Sequence, residues 1–63
     1  MPFKIKEARK EKGFTQEELA KRANVPRATI IGLENGTITV TTTETLTKIA
    51  GALDKKVSDI FLA

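Results

Sequence analysis

Apolar residues recur at every third or fourth position through most of the chain, the spacing that places them on one face of an α-helix. Alternation with a period of two is confined to the stretch "TITVT". The pattern therefore predicts an all-α fold. No internal repeat or interdomain linker interrupts it, so residues 1–63 are expected to form a single domain.

Residues that start or stop helices divide the chain into five predicted helices. They cover about residues 3–12, 16–23, 27–34, 43–53 and a short closing segment within 57–62. Three of the helices are followed by residues that tolerate the left-handed backbone of a helix end: Gly13, Asn24 and Gly36. A capping box between Thr15 and Glu18 opens the second helix, and another between Thr41 and Glu44 opens the fourth.

The second and third predicted helices are separated by a turn of only about three residues. In the third helix, Ile30 and Leu33 lie on the side that packs inward. The opposite side carries Arg27, Ala28, Ile31 and Gly32. Two short helices joined by such a turn leave the second one projecting from the surface, and the major groove of DNA is wide enough to accept it. This geometry permits nucleic-acid binding without requiring it.

Composition narrows the function classes. The net charge is +3, and eight of the eleven basic residues lie in the first 27 positions, which makes that half a candidate surface for a polyanion. The chain has no Cys and no His, so a reducing, cytoplasmic setting is expected, and no metal, cofactor or enzyme constellation is evident. No apolar run is long enough for a membrane span or a signal peptide.

The stretches "GFTQEELAKRANVPRATIIGLENG" and "ETLTKIAGAL" resemble the Cro/C1-type helix-turn-helix family, the XRE-like regulators that include the phage lambda and 434 repressors. The resemblance extends from about Ile5 to Phe61. It implies a compact five-helix, lambda-repressor-like domain in which residues 16–35 form the helix-turn-helix. The partner that it implies is double-stranded DNA.

The resemblance also implies roles for individual residues. Gln16 matches a position that bonds a DNA phosphate, and Arg27, Ala28 and Gly32 match positions that face the bases. Thr29 and Asn35 match positions that usually approach the DNA backbone. The candidate DNA-binding residues are Thr15, Gln16, Arg27, Ala28, Thr29, Ile31, Gly32, Asn35 and Thr37.

Three charged residues carry more specific expectations. The Arg27 guanidinium can donate two hydrogen bonds to guanine O6 and N7, with a phosphate contact as the alternative. Arg9 and Glu34 match a family pair that ties the first helix to the end of the third. Their expected role is to hold the third helix in place.

Ile31 and Gly32 depart from the family pattern, which often has polar residues at both positions. A Gly within a helix costs about 1 kcal/mol relative to Ala. One interpretation is that Ile31 and Ala28 contact thymine methyl groups, while Gly32 lets the backbone approach the DNA. The alternatives are a protein partner on this face, or exposed apolar residues with no special role.

The linker "TITVTTT", residues 37–43, also departs from the family, because relatives commonly carry Lys or Arg there. Its Thr hydroxyls and backbone N–H groups can bond phosphates without neutralising them, which predicts a shallow salt dependence. The alternative is a stiff connector that binds no ligand.

The predicted function is a sequence-specific transcriptional regulator, expected to act as a repressor that binds a palindromic operator as a homodimer. Candidate dimer contacts are Val57, Ile60, Phe61 and Leu62, with core packing as the alternative for Ile60 and Phe61. The alternative function is a protein-interaction or antitoxin-like module that uses the Ile31 face. No small-molecule effector site is evident.

Overall fold

Five helices make up most of residues 3–61, the part of the chain that the computed structural model describes. They are α1 (Ile5–Lys12), α2 (Gln16–Ala23), α3 (Arg27–Asn35), α4 (Thr43–Ala52) and α5 (Val57–Ile60). The all-α prediction is confirmed. Within these residues, β pairing is limited to one isolated antiparallel bridge between Phe3 and Phe61, and the "TITVT" stretch forms no strand.

A single apolar core joins the five helices. Its fully enclosed side chains are Ile5, Leu19, Ile30, Leu33, Ile49, Leu53 and Ile60. The inward positions predicted for the third helix, Ile30 and Leu33, are therefore confirmed. α2 packs against both α3 and α4, while α1 packs against α3. Because α3 buries its Ile30 and Leu33 side against these neighbours, its opposite side faces away from the core.

The turn between α2 and α3 is as short as the sequence predicts. Asn24 has a φ of +57° and ends α2, and Pro26 is the N-cap of α3, which begins at Arg27. Asn tolerates this left-handed conformation better than most residues, because its short side chain can bond locally. Three residues therefore set the direction of α3 relative to α2.

Only one of the two hydrogen bonds of the predicted capping box is present at the start of α2. The Thr15 hydroxyl accepts a hydrogen bond from the backbone N–H of Glu18 at 3.0 Å. The Glu18 carboxylate accepts hydrogen bonds from Arg22 at 3.0 and 3.3 Å, in place of the predicted bond back to the N-cap. An Arg four residues further along the helix is an ion-pair partner that a carboxylate reaches easily.

The predicted capping box at the start of α4 is wrong by one residue. Thr42, not Thr41, is the N-cap, and its hydroxyl accepts a hydrogen bond from the backbone N–H of Thr45 at 3.1 Å. Residues 41–43 are all threonines, so any of them supplies the required hydroxyl. The path of the linker decides which one caps the helix.

Because Thr42 caps α4, Thr42→Ala is expected to lower the free energy of unfolding by about 1 kcal/mol. Thr41→Ala removes the same hydroxyl from the neighbouring residue and should leave the stability nearly unchanged. Urea unfolding followed by circular dichroism measures both variants. An equal loss in the two would contradict this placement of the cap.

Candidate nucleic-acid interface

The outward side of α3 presents a mixed basic and apolar surface. Arg27, Ala28 and Asn35 are exposed on it, and Ile31 is half-buried between them. A helix of nine residues is about 13 Å long. This surface is therefore long enough to lie along a few base pairs, and the major groove admits a helix of this diameter.

Arg27 is the basic residue on the outward side of α3. It is the first residue of the helix and is exposed. The ion pairs found within residues 3–61 use other basic residues: Arg9, Lys12, Arg22, Lys48 and Lys55. Arg27 thus takes part in none of these pairs.

Arg9 and Glu34 form a two-fold hydrogen-bonded ion pair between α1 and α3. Arg9 Nε donates to Glu34 Oε2 at 2.7 Å and Nη2 donates to Oε1 at 3.1 Å. The remaining guanidinium nitrogen, Nη1, donates to the carbonyl oxygen of Phe14 at 2.8 Å. The side chains are only 12% and 4% exposed, and hydrogen bonding to Glu34 raises the pKa of Arg9 above its ordinary value. The pair fixes the C-terminal half of α3 to α1 and to the loop before α2.

Gln16 extends this network to the start of α2. Its Nε2 donates to Glu34 Oε1 at 3.2 Å. A side-chain amide carries two N–H donors, so this bond uses one and leaves the second for another acceptor. The network therefore holds the Gln16 amide in a defined orientation beside α3.

A cleft of about 430 Å³ brings several of these side chains together. It is lined by Lys6, Arg9, Gln16, Ile31, Glu34 and Asn35. Lys6 was not singled out by sequence reasoning beyond its place among the basic residues. Its spacing of three from Arg9 is the signal that could have identified it, because residues three apart share one side of a helix.

Thr15, Asn35 and Thr37 already make local hydrogen bonds. The Asn35 Oδ1 accepts from the backbone N–H of Thr37 at 2.9 Å and from the Thr37 hydroxyl at 2.8 Å. The Thr15 hydroxyl accepts the capping bond described above and keeps its own hydrogen as a donor. Thr29 is half-buried on the flank of α3. These contacts fix Asn35 and Thr37 at the point where α3 meets the linker.

Gly32 lies in different surroundings from those predicted. It is buried, and the side chain of Ile38 covers it. A Cβ added at Gly32 would lie 2.5 Å from Cγ1 of Ile38, and it would also clash with Cδ1. The prediction that Gly32 leaves its backbone open to DNA is therefore corrected. The Gly is accommodated in α3 because it makes room for a residue of the linker.

A substitution at Gly32 tests this packing. Ala normally stabilises a helix by about 1 kcal/mol relative to Gly. That gain is expected for Gly51→Ala in α4, where an added Cβ meets no atom within 4 Å. Gly32→Ala must displace Ile38, and we expect it to destabilise the protein by roughly 1–3 kcal/mol, the usual cost of overpacking. Thermal melts measure the stability of the two variants. An increase in melting temperature for both would show that Ile38 moves aside without an energetic cost.

The structure corrects one of the predicted dimer contacts. Ile60 is fully buried in the protomer core and has no exposed surface to offer a second chain. Val57 and Phe61 line an open apolar cleft of about 390 Å³ with Val40 of the linker. Leu62 lies outside the described residues.

Two structural features are absent from residues 3–61. None of their helices combines the length and apolarity that are needed to cross a bilayer. No three of their Asp and Glu side chains lie close enough together to hold a metal ion.

Comparison with known proteins assigns the family. The family model described as helix-turn-helix matches residues 5–60. The chain belongs to the helix-turn-helix family. The resemblance to Cro/C1-type regulators, drawn from "GFTQEELAKRANVPRATIIGLENG" and "ETLTKIAGAL", is confirmed. The family comprises DNA-binding domains of transcription regulators and not enzymes, which agrees with the expectation from composition.

Two similar relatives carry the description of uncharacterized HTH-type transcriptional regulators. One, from Archaeoglobus fulgidus, is 44% identical over 62 residues that cover 98% of this chain and 86% of the relative. The other, from Methanothermobacter thermautotrophicus, is 66% identical over 32 residues. That second match spans 51% of this chain and 46% of the relative, so less than half of that protein is aligned.

A solved structure of the same fold is SinR of Bacillus subtilis, described as the master regulator for biofilm formation and solved in complex with DNA. Its TM-score is 0.82, with 36% sequence identity over 84% of each chain. The similarity confirms the five-helix, all-α architecture.

Proposed function

We propose that this chain is a sequence-specific DNA-binding regulator that reads the major groove with α3. The observation that carries the proposal is the exposed side of α3, held at its C-terminal end by the ion pair between Arg9 and Glu34. The similarity to SinR, which was solved in complex with DNA, supports it. Residues 16–35 act as the reading unit of a single domain.

Each group on this surface has a proposed partner on DNA. The Arg27 guanidinium donates two hydrogen bonds to O6 and N7 of a guanine, while Ala28 and Ile31 contact thymine methyl groups. Gln16 donates its second amide hydrogen to a phosphate, next to the N-terminal N–H groups of α2. Lys6, which lines the same cleft, neutralises a phosphate.

Phosphate contacts beside α3 complete the proposed interface. Thr15, Thr29 and Asn35 can donate hydrogen bonds to phosphate oxygens without neutralising them. Thr37 can do the same once its hydroxyl releases Asn35 Oδ1. Such contacts set the register of the protein on the duplex and carry no sequence information. Specificity then depends on the few side chains that reach base edges.

We further propose that the regulator binds as a homodimer and acts as a repressor by occupying its operator. One helix of nine residues reads too few base pairs to select a site among the many competing sites of a genome. Two copies with half-sites roughly 34–36 Å apart double the readout and require a palindromic operator. The apolar cleft beside Val57 supports a dimer surface, because Val40 is 87% exposed and Phe61 is 42% exposed there.

The uncharged linker gives a quantitative prediction. If Thr37 lies on a phosphate, Thr37→Lys adds one neutralising charge per protomer, which should steepen the slope of log K against log salt by about 2 for a dimer. Gly51→Lys places the same charge at an exposed position of α4 that belongs to neither the proposed DNA interface nor the proposed dimer surface, and should leave the slope unchanged. Titrations at several salt concentrations measure both slopes, and equal slopes would remove Thr37 from the interface.

Selection of bound duplexes from a random pool tests the proposed function itself. We expect enrichment of a palindromic consensus with guanine and thymine in each half-site. The absence of any enrichment above background at low salt would refute the proposal. Tight capture of a protein with no DNA preference would point to an interaction module in its place.

A further inference from the structure

The outward side of α3 receives a side chain from outside the helix. Gly32 follows Ala28 by four residues, so it lies one turn further along the same row of the helix surface. A side chain at position 32 would therefore stand next to Ala28. Gly32 has none, and Ile38 of the linker fills that space.

The backbone holds Ile38 in this position. The Ile38 N–H donates to the carbonyl oxygen of Gly32 at 3.0 Å, and the Gly36 N–H donates to the same oxygen at 3.1 Å. One residue before Ile38, the Thr37 N–H is bonded to the Asn35 side chain at 2.9 Å. The linker thus turns back against α3 through three hydrogen bonds.

The Ile38 side chain is also restrained by its own packing. Part of it packs against the apolar core, its Cγ1 and Cδ1 cover Gly32, and the residue as a whole is half-buried. A β-branched side chain has few χ1 conformations, so its exposed methyl groups are presented in a defined place. Ile38 is therefore restrained by its backbone hydrogen bond, its branched side chain and its packing.

We propose that Ile38 is a specificity-determining residue that contacts a thymine methyl group in place of a side chain at position 32. This inference rests on the proposed function. The C5-methyl of thymine is the one apolar group that a base pair offers in the major groove. Ile38 adds a third apolar side chain to the face formed by Ala28 and Ile31, and an apolar face matches that methyl group better than it matches any hydrogen-bonding edge. A residue of the linker, and not only α3, would then help to select the operator.

The test removes methyl groups from the DNA and from the protein in turn. The starting duplex is the operator selected from the random pool, and each thymine of a half-site is replaced by deoxyuridine. For the unmodified protein we expect at least one position where the replacement weakens binding by about fourfold, the factor that burial of one methyl group gives. In Ile38→Ala, the replacement at that position should have no further effect, while losses at other positions persist.

Two more variants guard against a change in folding. Ile38→Val removes the terminal methyl group that packs on Gly32 and keeps the branched shape, so it should show a reduced effect at the same position. Ala52→Gly removes a methyl group from a half-buried residue of α4 that packs against the same core and belongs neither to the proposed DNA interface nor to the proposed dimer surface, so its deoxyuridine profile should match that of the unmodified protein. Circular dichroism melts establish that each variant is folded at the temperature of the titration.

The outcomes separate this inference from the proposed function. If Ile38→Ala weakens every duplex alike and every deoxyuridine effect persists, Ile38 only packs against α3 and the inference is overturned. If deoxyuridine has no effect anywhere although a consensus is selected, no apolar residue reads thymine and the inference also fails. If no consensus is selected, the proposed function itself is refuted.

Discussion

Arg9→Leu is expected to destabilise the fold by roughly 3–5 kcal/mol, the cost of leaving one charge of a buried pair without its partner. The stranded group is the Glu34 carboxylate, whose side chain is only 4% exposed. The substitution also removes the hydrogen bond from Arg9 to the Phe14 carbonyl group. Each 1 kcal/mol corresponds to about 4–8 °C in the melting temperature of a domain of this size. The variant should therefore melt far below the unmodified protein.

A double substitution identifies the cause of this loss. Arg9→Leu with Glu34→Leu removes both charges, so we expect it to recover much of the stability that the single change loses. Lys10→Leu serves as the control, because Lys10 is an exposed lysine of the same helix and its loss should stay within about 0.5 kcal/mol. Identical melting curves for Arg9→Leu and Lys10→Leu would show that the ion pair does not stabilise the fold.

Arg27→Ala is expected to weaken operator binding by about 1–3 kcal/mol per half-site and to relax the preference at one base pair. The reason is the loss of two hydrogen bonds to a guanine edge, which no other residue on the outward side of α3 is placed to replace. Arg27 is exposed and buries no apolar surface in the core, so the melting temperature should change little. Titration of the consensus operator and of single-base variants measures both effects.

The alternative for Arg27 is a phosphate contact, and it has a different signature. Binding to all sequences would then weaken alike, and the salt slope would fall by about 1 per protomer. Lys56→Ala is the matched control, because it removes the same charge from an exposed position at the start of α5. A uniform loss in Arg27→Ala would contradict direct base reading by this residue.

Local chemistry made much of the helical framework predictable. Asn24 ends α2 with the positive φ that its side chain tolerates, and Thr15 caps the same helix, so each boundary depends on residues close in sequence. The ion pair of Arg9 with Glu34, 25 residues apart, could be expected only through the family resemblance. Spacing and composition carry no information about a pairing of that range.

The wrong predictions for Gly32 and for the α4 cap have the same cause. Both depend on the path of the linker between α3 and α4. Nothing in the residues of α3 shows that Ile38, six positions after Gly32, folds back over it, because that contact depends on the course of the linker. The shift of the α4 cap from Thr41 to Thr42 has the same origin. Ile60 was open to two interpretations, because an apolar residue suits a core and a subunit interface equally well.

We propose that α3 lies in the major groove and reads base edges there. Methylation interference tests it most directly, because dimethyl sulfate modifies guanine N7 in the major groove and adenine N3 in the minor groove. With the selected operator, we predict that methylation of guanine N7 within the half-sites blocks binding, and that methylation of adenine N3 at the A·T pairs of the same half-sites does not. Binding that tolerates N7 methylation throughout, or that only minor-groove methylation prevents, would contradict the account.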